Sequence, residues 1–408
     1  MMIKIALCLL LAAASLPQSL AGPRWVSAWT AAADQAGPSL KRQTIRQVVR
    51  AGLAGARLRV RLSNLFGTGP VAIGPVRVAL HGAGPAILPG TSRALTFGGK
   101  PVVTIPKGRS TLSDPVAMDV AALQELAVSL YLPQGTGPST VHGIGLQTAY
   151  LVEGDDLTAA PSLPPGETDD SRYFLTDVEV AAAPDAGALV AFGDSVTDGV
   201  GSPQDGNARW PDALAARLQA EPGLTSLAVV NAGIAGNRIL NDGVDPFIGP
   251  SALSRFDRDA LDKPGVRWVV LLQGINDITA AGMLTAPQDK VSAQQIIDGL
   301  KTLVARAHRR GVKVCGATLL PRGGSTGPRR QTPEGEAKRQ AVNAWIRGAG
   351  AFDAVVDFEK VVQDPAHPDR LRPDFDSGDH THPSAAGYQA MAAAIDLRVL
   401  GQDNRIRH

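Results

Sequence analysis

Residues 188–199 read ALVAFGDSVTDG: a run of apolar residues, Ala188–Phe192, leads straight into Gly193-Asp194-Ser195. A short run that is apolar on both faces marks a parallel strand covered on both sides. The pattern recurs downstream. Apolar runs at Leu227–Val230, Trp268–Leu272, Val312–Thr318 and Ala354–Phe358 alternate with helix-like stretches at Arg209–Glu221, Ser292–Arg310, Pro333–Arg347 and Ser384–Leu397. Strands alternating with helices in this way predict an α/β fold, a doubly wound parallel five-stranded sheet over residues 187–400. Ligands of such sheets sit beyond the carboxyl ends of the strands, so the chemistry is expected in the loops that follow them.

Upstream the character is different. Arg57-Leu58-Arg59-Val60-Arg61-Leu62 alternates charged and apolar residues, the period of a half-exposed strand. Val76–Leu80, Val102–Ile105 and Leu126–Leu132 continue in the same manner, with Gly and Pro turns between them. This predicts an all-β sandwich or jelly roll over residues 22–180. Residues 154–170 read as a connecting loop and Tyr173–Val180 as a last strand.

Ahead of both lies Lys4, then the apolar run 5–16, then Ser19-Leu20-Ala21. That layout is a secretory signal peptide over residues 1–21, and the run is too short for a bilayer, which needs about 20 residues. The expectation is a secreted or periplasmic protein without stable membrane insertion. With Cys8 in the leader, Cys315 is the remaining cysteine and no intramolecular disulfide can form. Its setting, Val312–Ala317, reads as a buried strand, and Cys315 as a small core side chain. The whole chain has 408 residues, 44% of them hydrophobic, which excludes a disordered polymer. Its 40 basic and 38 acidic residues leave a formal charge of +2, nothing that would gather a polyanion, so no nucleic-acid partner is expected.

The strand-end loops carry the reactive residues. GDSVTDG follows the first strand at 193–199, NAGIAGN the second at 231–237, GIND the third at 274–277, and DSGDHTHP precedes the last helix at 376–383. Together these blocks resemble the SGNH, or GDSL, hydrolase family, a flavodoxin-like fold, and the β region ahead of them is similar to a secreted subgroup of that family. The resemblance implies a carboxylic ester hydrolase needing no cofactor. Ser195 is then the nucleophile, because a serine hydroxyl needs an adjacent base and a tight turn to react. His382 is the matching base, and Asp379, on the same loop, orients its imidazole. The family's oxyanion hole carries over to the Ser195 N–H, the Gly236 N–H and the Asn276 side chain.

Plainer readings stand beside these. Ser195 alone would be a helix N-cap, Asn276 a turn residue, Asp277 and Asp198 helix caps, and Gly236 a site of positive backbone angle. Asp194 would serve the turn or the sheet. Asp379, His380 and His382 make a set that zinc would accept, yet the chain has no HExxH, and the serine blocks account for His382 without metal; His380 points elsewhere or lines the cleft. Gly323-Gly324-Ser325-Thr326-Gly327 spells G-x-S-x-G, but Pro321 and a glycine pair separate Ser325 from its strand, so it lacks the strand-to-helix elbow and reads as a loop beside the cleft. Arg238 and Arg322 would face a polar substrate or solvent. Trp25, Trp29 and Trp210 would stack on sugars or simply pack. The expected substrate is a small-molecule or polysaccharide ester with a short acyl group. A lipolytic enzyme or thioesterase with the same triad is the alternative, and a carbohydrate-binding protein on an inactive hydrolase scaffold is the alternative of another kind.

Overall fold

The computed structural model describes residues 24–243, 248–279, 290–327 and 330–401. The leader expected at 1–21, with Cys8, lies outside them. Five parallel strands form the sheet foreseen from residue 187 onward: β1 (Gly187–Gly193), β2 (Leu227–Gly233), β3 (Val266–Leu272), β4 (Lys313–Ala317) and β5 (Ala354–Val356). Their order is β2-β1-β3-β4-β5. The chain therefore switches direction across β1 and β3, the place where such sheets bind ligands. Gly193 pairs in register with Gly233 on one side and Leu272 on the other, so three strands end at one level.

Helices cover both faces. α1 (Ser195–Asp198) is a single turn; α2 (Trp210–Ala220) packs against α8 (Ala385–Ala394). On the other face lie α3 (Ala252–Phe256), α5 (Ala293–Arg309) and α6 (Pro333–Gly348), and α4 (Ile275–Thr279) follows β3 directly. α5 starts where its sequence says it should: Ser292 Oγ accepts the Gln295 N–H at 3.2 Å while Gln295 Oε1 accepts the Ser292 N–H at 2.8 Å, a capping box. Ile296, Leu300, Leu303 and Ala307 then recur at helical spacing and are buried against the sheet. α7 (Phe358–Val362) follows β5, and α9 (Leu397–Gly401) ends the described chain.

The stretch 384–397 is not one helix. α8 stops at Ala394, Ile395 turns extended at φ −72° and ψ 120°, and its side chain is buried in the core. Arg217 from α2 donates to the carbonyls of Ala392 and Ile395, satisfying groups that a continued helix would have paired. Residues 154–170 are not wholly loop either. Glu167–Asp169 is an edge strand paired with Ala149–Glu153, too short and polar to carry any alternation.

The preceding region is antiparallel β. One sheet joins Arg24–Thr30, Leu175–Ala182, Gly55–Ser63 and Val116–Val120, with Ser110–Leu112 paired to Gly55–Ser63. A second runs Glu167–Asp169, Ala149–Glu153, Gln43–Arg50, Glu125–Leu132, Val76–Leu80 and Arg93–Leu95. Val26, Leu58, Val60 and Val180 of the first meet Ile45, Val49, Val78 and Val128 of the second in one core, as two facing sheets must. A small sheet of Gln35–Ser39, Pro138–His142 and Arg172–Tyr173 lies beside them. The β region and the parallel sheet share a seam. Ala188 and Ala228 of β1 and β2 belong to the β core, the Ser27 N–H donates to the Pro264 carbonyl at 2.9 Å, and Lys263 Nζ pairs with buried Asp177 at 2.6 Å. Among the described residues no helix is long and apolar enough to cross a membrane.

Candidate active site

β1 ends at Gly193 and α1 begins at Ser195, with Asp194 capping the helix by accepting the Val196 N–H at 3.1 Å. The cap is thus Asp194, and Ser195 is the first helical residue. Only glycine fits at 193: a Cβ there would lie 2.2 Å from Thr197 Oγ1 and 2.5 Å from the Leu272 carbonyl. Burial pushes the Asp194 carboxyl up to about 7, against the opposing Val196 hydrogen bond.

The loop before α8 brings His382 to Ser195. Ser195 Oγ–H donates to His382 Nε2 at 2.8 Å, and His382 Nδ1–H donates to Asp379 Oδ2 at 2.5 Å. Asp379 is itself fixed by its other oxygen, which accepts the N–H groups of Thr381 at 2.9 Å and His382 at 2.8 Å. Partial burial would raise the Asp379 carboxyl, but the His382 contact and these backbone donors hold it well below the usual carboxylate range. Asp379 is therefore ionised, and it holds His382 in the tautomer that leaves Nε2 free to accept the serine proton.

The remaining strand ends supply donors. Asn276 on α4 gives one amide hydrogen to the Asn237 carbonyl at 3.1 Å and keeps the other, in a cavity it shares with Ser195. Gly236, at φ +75°, belongs to the same Asn237 loop. Among the described residues neither its N–H nor that of Ser195 has an acceptor. The side chain of Asp277, named in the sequence as a possible cap, instead ties α4 to this loop by accepting the N–H of Ile239 at 2.8 Å and of Leu240 at 3.1 Å. Burial raises its carboxyl to about 6, partly offset by those bonds.

Two further groups hold the strand ends, and sequence reasoning gave them no role. Asn237 is fully buried; its amide donates to the carbonyls of Ile248 and Pro250 at 2.9 and 2.8 Å, and its Oδ1 accepts from Arg255 and Gln273, each at 2.9 Å. Arg255 on α3 is buried and donates to the carbonyls of Gly193 at 2.9 Å and Ala232 at 2.8 Å while lying over the Phe192 ring. Asn237 stood inside the block 231–237, and that block is the signal that marks it. Arg255 stood in none, and nothing in the local pattern marks it.

Ser195 opens into a cavity of about 480 Å³. Leu272, Ile275, Leu319 and Leu320 give it apolar walls, so the cleft is less polar than the strand-end loops suggested. Arg322, Thr326, His380 and Thr381 supply polar groups. His380 lines the cavity without joining the Ser195 line: its Nδ1 meets Asp376 Oδ2 at 2.6 Å, and its backbone sits at φ +57°. Ser325 stays on the bordering loop, where its Oγ accepts the Gln331 N–H at 3.0 Å. Arg238 is buried and donates to the Asp242 carbonyl. Trp210 is buried against Phe358, and Trp25 lies under the Arg59 guanidinium at 4.2 Å. Cys315 is buried in β4, and burial raises its thiol to about 12.

No curated protein matches the chain. Among solved structures it is similar to Axe2, an acetylxylan esterase from Geobacillus stearothermophilus, at 24% identity and a TM-score of 0.39, covering 53% of this chain and 94% of that one. It is also similar to Est24, a carbohydrate acetylesterase from Sinorhizobium meliloti, at 18% identity and a TM-score of 0.41, over 53% and 99% of the two chains. A GDSL-like lipase from Bacteroides thetaiotaomicron VPI-5482 gives 20% identity and a TM-score of 0.38, over 53% and 88%. The assignment rests instead on residues 191–390, which match the GDSL-like Lipase/Acylhydrolase family. This segment, which spans all four strand-end loops, is a GDSL-like lipase/acylhydrolase domain, and the chain that carries it is a carboxylic ester hydrolase.

Proposed function

We propose that the chain is an exported, secreted or periplasmic, serine esterase that removes short, acetyl-type acyl groups, on carbohydrate among other alcohols. Residues 22–180 form its β-sandwich domain and 187–400 its catalytic domain. The observation that carries the reading is the hydrogen-bonded line from Ser195 through His382 to Asp379. Ser195 Oγ attacks the ester carbonyl carbon as its proton passes to His382 Nε2. The carbonyl electron pair becomes an oxyanion held by the N–H groups of Ser195 and Gly236 and the Asn276 amide. Collapse expels the alcohol, which takes the proton from His382, and leaves acyl-Ser195. Water then attacks the acyl carbon, giving a proton to His382, and the acid departs as the proton returns to Ser195. Asp379 stabilises the imidazolium in both halves without being protonated.

Short acyl preference is supported by the cavity's modest size and by the polar groups Arg322, His380 and Thr381 beside the apolar walls. Those walls favour a second reading, a lipolytic enzyme. Chain length separates the two, because each buried methylene contributes about 0.8 kcal/mol. We expect kcat/KM on nitrophenyl esters to be highest at acetyl and to fall toward dodecanoyl, with acetate released from acetylated xylan. A steady rise to long chains with no release from xylan would establish the lipolytic reading. Ser195→Ala should abolish turnover while Ser325→Ala retains it; the reverse outcome would remove Ser195 from the mechanism. Purified wild type that binds xylan but turns over no ester would leave the binding-protein alternative.

A further inference from the structure

We infer that His142, a residue of the β region, positions the oxyanion loop of the active site through Asp198, making the β region a working part of the catalytic centre rather than an appendage. This rests on the reading of Ser195 and Gly236 given above. His142 closes the strand Pro138–His142 and is buried at the seam, with 6% of its side chain exposed. Its Nδ1 lies 3.3 Å from Asp34 Oδ2 and 2.9 Å from the Ala32 carbonyl. Its Nε2 lies 3.1 Å from Asp198 Oδ1 and 3.1 Å from the Ile144 carbonyl. Every one of these partners is an acceptor, so both ring nitrogens must carry hydrogen and the imidazole is a cation. Burial alone would depress its pKa, but Asp198 and Asp34 outweigh that and raise it to about 10.

Asp198 joins this cation to the chemistry. It is the last residue of α1, whose first residue is Ser195, and its second oxygen accepts the Ala235 N–H at 2.9 Å. Ala235 immediately precedes Gly236. A second tie beside it, from Asn231 Nδ2 to the Thr197 carbonyl at 2.7 Å, binds the same loop to the same turn. Asp198 thus shares with Asn231 the spacing of the Ser195 and Gly236 donors, and the cation in direct contact with this buried carboxylate comes from the β region, Arg209 and Arg255 acting on it from farther away. Without His142, Asp34 and Asp198 would face each other across a buried space with no cation between them, and the repulsion would turn Asp198 away from Ala235. Oxyanion donors act only when they are already aimed at the forming charge, so misplacing one lowers transition-state binding and leaves substrate binding nearly untouched.

The test compares His142→Gln and Asp198→Asn with Lys263→Met, which removes a different buried charge from the same seam. Each is assayed on nitrophenyl acetate and with a trifluoromethyl ketone, which traps a serine hydrolase as a charged tetrahedral adduct, at a temperature where circular dichroism shows native structure. For His142→Gln and Asp198→Asn we expect kcat to fall by about tenfold or more. KM should stay within a few-fold, and the inhibition constant of the ketone should rise in step with the loss of kcat. Lys263→Met should lower the melting temperature and leave kcat unchanged. A folded His142→Gln or Asp198→Asn with wild-type kcat, or one in which ketone and substrate binding weaken equally, overturns the inference. If His142→Gln does not fold, Asp198→Asn decides; if neither folds, the cluster holds the fold rather than the loop and the inference falls. Ser195→Ala, run alongside, separates the two levels. Turnover in Ser195→Ala removes the site itself, whereas a dead Ser195→Ala beside an unaffected His142→Gln removes only the role of His142.

Discussion

Arg255 Nη2 donates to the carbonyl of Gly193 at 2.9 Å, so a side chain from the helix after β2 anchors the end of β1 two residues before Ser195, the proposed nucleophile. The same guanidinium takes the Ala232 carbonyl and Asn237 Oδ1, and it faces buried Asp259 at 3.3 Å. Burial lowers its pKa to about 10, still far above neutrality, so it remains charged.

Arg255→Met should therefore leave two carbonyls and an amide oxygen short of a donor. The loss expected from breaking such a buried charged network is about 3–5 kcal/mol. Urea unfolding would measure it, and a change under about 1 kcal/mol would show that the neighbours find other partners.

Asn276→Ala removes one oxyanion donor and should lower kcat by about 10²–10³ with KM little changed. Asp379→Asn should cost about 10⁴ in kcat, because the amide supports the wrong tautomer of His382. Steady-state kinetics on nitrophenyl acetate would check both, and retention of kcat within a few-fold in either would remove that residue from the mechanism.

Gly236→Ala forces a side chain onto a backbone at φ +75° and places its Cβ 3.2 Å from Ile248 Cγ1. A non-glycine residue there costs about 1–2 kcal/mol. If the loop relaxes to escape this strain, its N–H turns away from Ser195, so the expected outcome is a kcat loss larger than any change in melting temperature accounts for. Unchanged kcat would show that the oxyanion does not use this donor.

The His142 cation gives stability a definite pH dependence. Its folded pKa of about 10 lies above the ordinary histidine value of about 6.5, so its contribution is complete below about pH 6.5 and is lost as pH rises toward 10. The gap in melting temperature between wild type and His142→Gln should therefore narrow between pH 7 and pH 10. A gap constant across that range would show that the imidazole is not charged.

His380 should discriminate among leaving groups. Its ring is pinned by Asp376 on the cavity wall and takes no part in the Ser195 line. His380→Ala should leave turnover of nitrophenyl acetate within a few-fold and raise KM for acetylated xylo-oligosaccharides by up to about tenfold, the worth of one good hydrogen bond. Equal losses on both substrates would place His380 in the chemistry instead.

The parallel strands were legible because burial on both faces leaves an unmistakable apolar run, and α5 because Ser292 and Gln295 write its start into the sequence. Ser195, Asn276, Asp379 and His382 could be proposed from the sequence because they stand directly after strands or before a helix, where the topology exposes them. The interruption at Ile395 was not, since an apolar residue there suits a helix and an extended turn equally; Arg217, far away in sequence, decides it. Arg255 and His142 escaped for the same reason. Their partners lie on other elements, and a pairing such as His142 with Asp198 leaves no periodic trace in a single chain.

The first strand of the β region, Arg24–Thr30, has its partner in Leu175–Ala182, so the sandwich is closed by the two ends of its own chain segment. That arrangement governs timing. Arg24–Thr30 waits for residues up to 182 before it can be paired, and its Ser27–Pro264 bond to the parallel sheet waits longer still. Contacts so remote along the chain carry a large closure entropy and slow folding. The newborn chain can thus pair Gln43–Arg50 with Glu125–Leu132 early, while Arg24–Thr30 keeps an open edge until its partner at 175–182 has been made.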